Sequence, residues 1–270
     1  MKGGWCNKFQ KKGKTKIDKM ILCRKLDIRD NIDCLYQWFD KCPPQGKLKH
    51  WKDGRSAKET AKYWLHTIPS EFKELLKPLN LNYMICSPEF ISKFDNYGGN
   101  DRNHDLLIIS EKKTKEKVVI SIESKVDEEF GDTVSKTIIE ANKRIHRNPN
   151  SKGLLRIEDL RKTLFGCEKD DQLPIRYQLL TAIAGTLAEA KQQGSKTAIF
   201  IVQTFVSSEI NNKKHFENQN DLNRFLNLIS ESKFPEIKDG DLLGPVRIPG
   251  NNEYISCNID LFIGKYSIQI

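Results

Sequence analysis

The chain of 270 residues contains no apolar run long enough to cross a bilayer. Its lysine-bearing start is not followed by the apolar stretch of a secretory signal. A soluble, cytoplasmic protein without membrane contact is expected. No Gly/Ser/Pro-rich linker divides the sequence, so one domain over residues 17–270 is expected behind a basic, flexible tail of residues 1–16. Paired cysteine motifs are missing too. Seven cysteines make an odd count, none stands in a Cys-x-x-Cys pair, and Cys6, Cys23, Cys34 and Cys42 do not follow zinc-site spacings. Reduced thiols are the simplest reading. Outside the N-terminus, surplus charge is also scarce. Residues 1–25 hold nine Lys or Arg against Asp18 alone, which places +8 of the net +9 there. A nucleic-acid argument from global charge therefore rests on the tail, which either adds salt-sensitive phosphate affinity or is merely solvated.

Two short β-branched runs carry most of the remaining information. The first is His104-Asp105-Leu106-Leu107-Ile108-Ile109; the second runs from Val118 to Lys125 and ends Glu123-Ser124-Lys125. Each reads as a buried strand, and the charged link from Ser110 to Lys117 suits a hairpin. Strand side chains alternate faces, so Glu123 and Lys125 point the same way. Antiparallel pairing brings Asp105 toward the end that carries Glu123. Two carboxylates and an amine then meet at one edge of a sheet. Such a pair suits a hard divalent cation, and a neighbouring lysine suits water positioning or neutralisation of charge growing on a phosphate. The same pattern also describes an ordinary hairpin with solvated polar ends.

Asp105, Glu123 eighteen positions later and Lys125 two further on resemble the motif of the PD-(D/E)xK nuclease superfamily. A closer resemblance is to a bacterial branch of that superfamily whose function is not described. It is carried by Trp51-Lys52-Asp53-Gly54-Arg55-Ser56-Ala57-Lys58-Glu59, by Glu123 through Gly131, and by Arg176-Tyr177-Gln178-Leu179-Leu180. His104 stands where the superfamily motif has Pro. The resemblance covers about residues 50–205. It implies an α/β (α+β) fold with a restriction-endonuclease-like core: a central mixed sheet flanked by helices, with added N-terminal helices and a C-terminal extension. It further implies Asp105, Glu123 and the Ser124 carbonyl as ligands to Mg2+ or Mn2+, Lys125 as the residue orienting water, and DNA as the partner, with RNA and a homodimer left open. A role in restriction, repair or anti-phage defence follows by the same resemblance. A binding or assembly module that kept the fold without cutting belongs to a different class of function, and fold alone does not separate the two.

The other elements follow from periodicity. Ile17 to Phe39 predicts one or two amphipathic helices, broken by Pro43-Pro44. Ser56 to Leu65 predicts a helix opened by a capping box of Ser56 and Glu59; in related nucleases this helix often lends a carboxylate to the metal, so Glu59 has two readings. A helix through Leu76, a strand over Tyr83–Cys86, helices over Thr133–His146 and Leu154–Phe165, a buried helix over Pro174–Gln193, a strand over Lys196–Phe205 and a helix around Leu222–Ile229 complete the pattern. Residues 246–270 are expected to add strands. Arg176 and Gln178, in the first turn of the buried helix, either line the site as in related nucleases or serve packing and ion pairing. Arg55 before the capping box either meets a phosphate or is simply exposed.

Overall fold

A computed structural model describes residues 19–207 and 212–270 of the chain. The expected tail, residues 1–16, lies outside the described residues. The β-branched runs pair as their spacing predicts. β2 (Leu81–Ser92), β3 (Arg102–Lys112) and β4 (Lys117–Lys125) form an antiparallel meander. β3 and β4 are longer than the apolar runs alone indicate, and the turn between them shrinks to residues 113–116, with Lys115 at a left-handed φ of 70°. β5 (Thr197–Val206) then lies parallel to β4, in register from Val118↔Thr197 to Lys125↔Thr204.

Among the described residues the sheet has seven strands. β1 (Met20–Leu22) adds parallel to β2 at one edge. At the other edge β7 (Asp260–Gln269) runs parallel to β5, and β6 (Leu242–Val246) closes against it. The C-terminal stretch thus supplies strands, as expected. The N-terminal expectation is corrected. Among the described residues of that stretch, 20–26 form β1 and a 3-10 turn, and only α1 (Leu35–Lys41) is α-helical. The apolar residues Met20 and Leu22 match a two-residue period as well as a helical one, and pairing with β2 decides between them.

Helices cover both faces of the sheet. On one, α2 (Ser56–Trp64) and α3 (Ser70–Leu76) pack Trp64, Phe72 and Leu76 against Leu106, Ile108, Ile120 and Ile122. On the other, α4 (Val134–Arg147), α5 (Gly153–Phe165), α6 (Tyr177–Gln192) and α7 (Asn212–Ile229) pack against Leu107, Ile109, Val119 and Phe200. α6 begins at Tyr177, three residues later than its apolar pattern suggests. Arg176 is its extended N-cap, and Thr133 bridges to Arg176 as an isolated β pair. The buried Ala182, Ala184, Gly185 and Ala188 let α6 approach the sheet closely.

The meander changes face near the end that carries Asp105. In β2, Met84 and Cys86 join the α2/α3 core, whereas Phe90 joins the α6 core and Ser92 donates to Glu189 of α6. In β3, Leu106 and Ile108 belong to the α2/α3 side, whereas Arg102 and His104 lie against Gly185 of α6. Between these two sets stand Glu89, at a left-handed φ of 46°, and Asp105. A non-glycine residue held there carries strain of order 1–3 kcal/mol, of the kind that concentrates at functional sites.

Candidate functional site

Asp105, Glu123 and Lys125 line one cavity of 1140 Å3, together with Glu89, Arg102 and Gln178. Glu123 and Lys125 share a face because they stand two apart on β4, and Ser121 on the same face bonds Thr186 of α6. Ser124 points the other way. Its hydroxyl accepts from Thr60 of α2 at 2.7 Å and from Gln203 of β5 at 3.3 Å. Its backbone amide donates to Asp105 Oδ2 at 2.7 Å, which ties the two motif strands together at the site.

Glu123 is almost fully buried and heavily engaged. Lys125 Nζ lies 2.8 Å from Oε1, Gln178 Nε2 donates to the same oxygen at 2.7 Å, and Arg102 pairs with Oε2. Burial pushes this carboxyl up, but the Lys125 and Arg102 cations outweigh it and hold it below the usual glutamate range. Lys125 also donates to Gln178 Oε1 at 3.2 Å and stands 5.1 Å from the Phe130 ring centroid. Asp105 has no ion-pair partner among the described residues. Burial, then the charges of Glu123 and Glu89, push its carboxyl well above the usual aspartate range, against the pull of Lys125 and the Ser124 amide. Glu89 is pushed up to about 7, chiefly by burial, even though it accepts from Asn103 at 2.5 Å.

Three carboxyls thus crowd one end of the meander, where the charge of Glu123 adds to burial in raising the proton affinity of Asp105 and Glu89. Among the described residues, no group of three or more His, Cys, Asp or Glu side chains is disposed to hold a metal ion. Magnesium, however, is commonly held by one or two carboxylates with its waters retained. The oxygen-only donors and the uncompensated repulsion at Asp105 fit such a cation, with Asp105 and Glu123 as the residues to hold it and Glu89 beside them.

The remaining expected residues divide. Gln178 is in the site. Glu59 is not: it is buried at the start of α2, where it accepts from the Gly54 amide at 2.8 Å and from Lys62 at 2.8 Å. The expected capping box is altered as well. Arg55 is the N-cap, and the Ser56 hydroxyl donates to Glu128 at 3.1 Å instead of closing the box. Arg176 also lies apart from the cavity, pairing with Asp221 at 2.6 Å and donating to the Gly131 carbonyl at 2.6 Å. Arg55 does line the cavity and pairs with Asp127 at 2.9 Å. Sequence reasoning missed Glu89 and Arg102. Glu89 follows Pro88 inside an apolar strand, an odd place for a carboxylate and the one signal available. Arg102 stands in a polar run that reads as a turn until β3 is seen to begin there.

Residues 32–269 match the model of a family described as a domain of unknown function, DUF6946, and the chain belongs to that family. No curated protein and no solved structure matches it.

Proposed function

We propose that this protein is a metal-dependent nuclease that hydrolyses phosphodiester bonds in DNA. The observation that carries the reading is the meeting of Asp105, Glu123 and Lys125 in one cavity at the end of an antiparallel meander. The order of elements supports it: α2, then β2-β3-β4, then α6, then β5 parallel to β4. This is the arrangement expected of a restriction-endonuclease-like core with α4 and α5 inserted between the third strand and the second core helix.

Asp105 and Glu123 would hold Mg2+ or Mn2+, with the Ser124 carbonyl as a further donor. The cation would supply Lewis-acid polarisation of a phosphoryl oxygen. Lys125 Nζ, fixed by Glu123 and Gln178, orients a water for in-line attack and offsets charge growing on the phosphoryl group. The water oxygen bonds to phosphorus, the opposite P–O ester bond breaks, and the leaving oxygen takes a proton. Arg102, buried beside Glu123, fixes the carboxylate orientation. Such chemistry belongs in the cytoplasm with access to DNA, and fits restriction, repair or anti-phage defence.

The test is incubation of the purified protein with supercoiled, linear duplex and single-stranded DNA, with and without Mg2+ or Mn2+. Cleavage is expected only with the metal, and Asp105→Ala should abolish it. One observation favours a second reading, a nucleic-acid-binding or assembly module that does not cut: both oxygens of Glu123 are already engaged by cations or amide. Absence of cleavage with either metal, on every substrate form, would favour that reading over the first.

A further inference from the structure

The cavity has two basic walls. One is the segment before α2, which presents Lys49 and Lys52; the other is the α4–α5 hairpin, which presents Arg144 and Lys152. All four side chains are exposed, and none has an ion-pair partner among the described residues. The salt bridges nearby involve other cations: Lys58 and Lys62 hold Asp53, Arg55 holds Asp127, and Arg156 holds Asp95. Four exposed cations without a salt bridge therefore line the cavity that holds the carboxylate site. This charge is local and does not depend on the basic N-terminus.

The lining between the walls is aromatic as well as polar. Tyr97, on the β2–β3 connection, and Tyr177, at the start of α6, are half-buried in the cavity. Arg156 stands over Phe94, with its guanidinium carbon 4.5 Å from the ring centroid, and is held there by Asp95. Aromatic and guanidinium faces bind bases by stacking, and this requires bases that are not already stacked inside a duplex. At 1140 Å3 the space also exceeds a small-molecule pocket of ~300–1,000 Å3, and residues of the segment before α2 and of α4–α5 line it. A duplex offers its phosphates on a broad cylinder and hides its base faces.

We propose that the cavity takes a single-stranded nucleic acid, its phosphates tracked by Lys49 and Lys52 on one side and Arg144 and Lys152 on the other, with unpaired bases against Tyr97 and Tyr177. This rests on reading the Asp105–Glu123–Lys125 cluster as a phosphodiester site, and deepens that reading by naming the substrate form.

The test reads binding without cleavage. Fluorescence anisotropy of the full chain in EDTA is followed with labelled single-stranded DNA, single-stranded RNA and duplex DNA of one sequence, over a salt series. At least one single strand should bind about tenfold or more tighter than duplex, and whichever binds tighter identifies the sugar. The Arg144→Ala/Lys152→Ala protein should lose affinity and show a salt slope shallower by about 1.4, at ~0.7 per single-strand phosphate contact. Lys113→Ala, in the turn at the far end of the β3–β4 hairpin, should change neither. Duplex bound as tightly as both single strands overturns the proposal, and so does an unchanged salt slope in the double variant. Metal-dependent cleavage with a duplex preference would reject the single strand while leaving the nuclease standing. Tight single-strand binding without cleavage would do the reverse.

Discussion

Lys125 is the residue on which the proposed chemistry turns. It is nearly inaccessible and shares Glu123 and Gln178 as partners, so its position is preorganised. Lys125→Ala should lower turnover by about a hundred- to a thousandfold, the usual cost of losing one such group, with DNA affinity nearly unchanged. Lys125→Arg should rescue poorly, because a planar fork does not fill the place of a compact ammonium. Wild-type cleavage by a folded Lys125→Ala protein would remove this residue from the mechanism. Glu89 gives a second prediction, read through stability. Its carboxyl titrates near 4.5 when unfolded and at about 7 in the fold. A raised carboxyl favours the folded state below pH 4.5, and the benefit is lost as pH rises toward 7. In EDTA, urea midpoints should therefore fall over that window, and Glu89→Gln should recover part of the loss, up to about 3 kcal/mol by linkage. An identical pH profile in Glu89→Gln would show that the carboxyl is not held as described.

At the scale of elements, two contacts hold the motif strands in place. The first is α6 against β3. A Cβ on Gly185 would come 2.7 Å from Arg102 Cγ, 2.8 Å from Arg102 Cβ and 3.0 Å from His104 Nε2. Arg102 is also the partner of Glu123. Gly185→Ala should cost about 1–3 kcal/mol, as overpacking does, and lower activity as well because Arg102 must shift. Thermal unfolding and the cleavage assay check the two halves; an unchanged Tm would show that the helix has room to spare. The second contact lies behind the site. Gln203 of β5 accepts from Trp64 Nε1 at 2.8 Å and from the Tyr266 hydroxyl, and donates to Ser124 at 3.3 Å. All three elements around it thereby hold the back of β4. Gln203→Leu strands those buried donors and should cost about 1–3 kcal/mol, measured by chemical denaturation.

Across the whole molecule, charge and topology play separate parts. Lys2, Lys8, Lys11, Lys12, Lys14 and Lys16 supply most of the surplus charge of the chain, while the cavity carries its own unpaired cations. Deleting residues 1–16 should weaken DNA binding at low salt and flatten its salt dependence, if those lysines touch phosphate. Titrations at a series of salt concentrations check this, and an identical slope would assign the segment no part in binding. The fold should survive the deletion, because residues 1–16 carry little apolar area.

The sequence determined the pieces whose signal is local. Short apolar, β-branched runs bounded by polar residues marked β3, β4 and β5, and apolar spacing marked α2 and α5 to within a residue or so of their ends. Alternation on β4 was enough to put Glu123 and Lys125 on one face, and antiparallel pairing enough to bring Asp105 beside them. What the sequence by itself left open needed contacts between distant segments. Met20–Leu22 became a strand only through β2, since its apolar pattern serves either period. Arg176 matched a motif, but Asp221, 45 residues further on, took it out of the site, whereas Glu59 is held away by its near neighbours Lys62 and the Gly54 amide. Glu89 and Arg102 entered it because β2 and β3 change face together near Glu89. That change depends on a left-handed backbone angle and on the close approach of α6 at Gly185, and neither leaves a periodic trace in one strand of sequence.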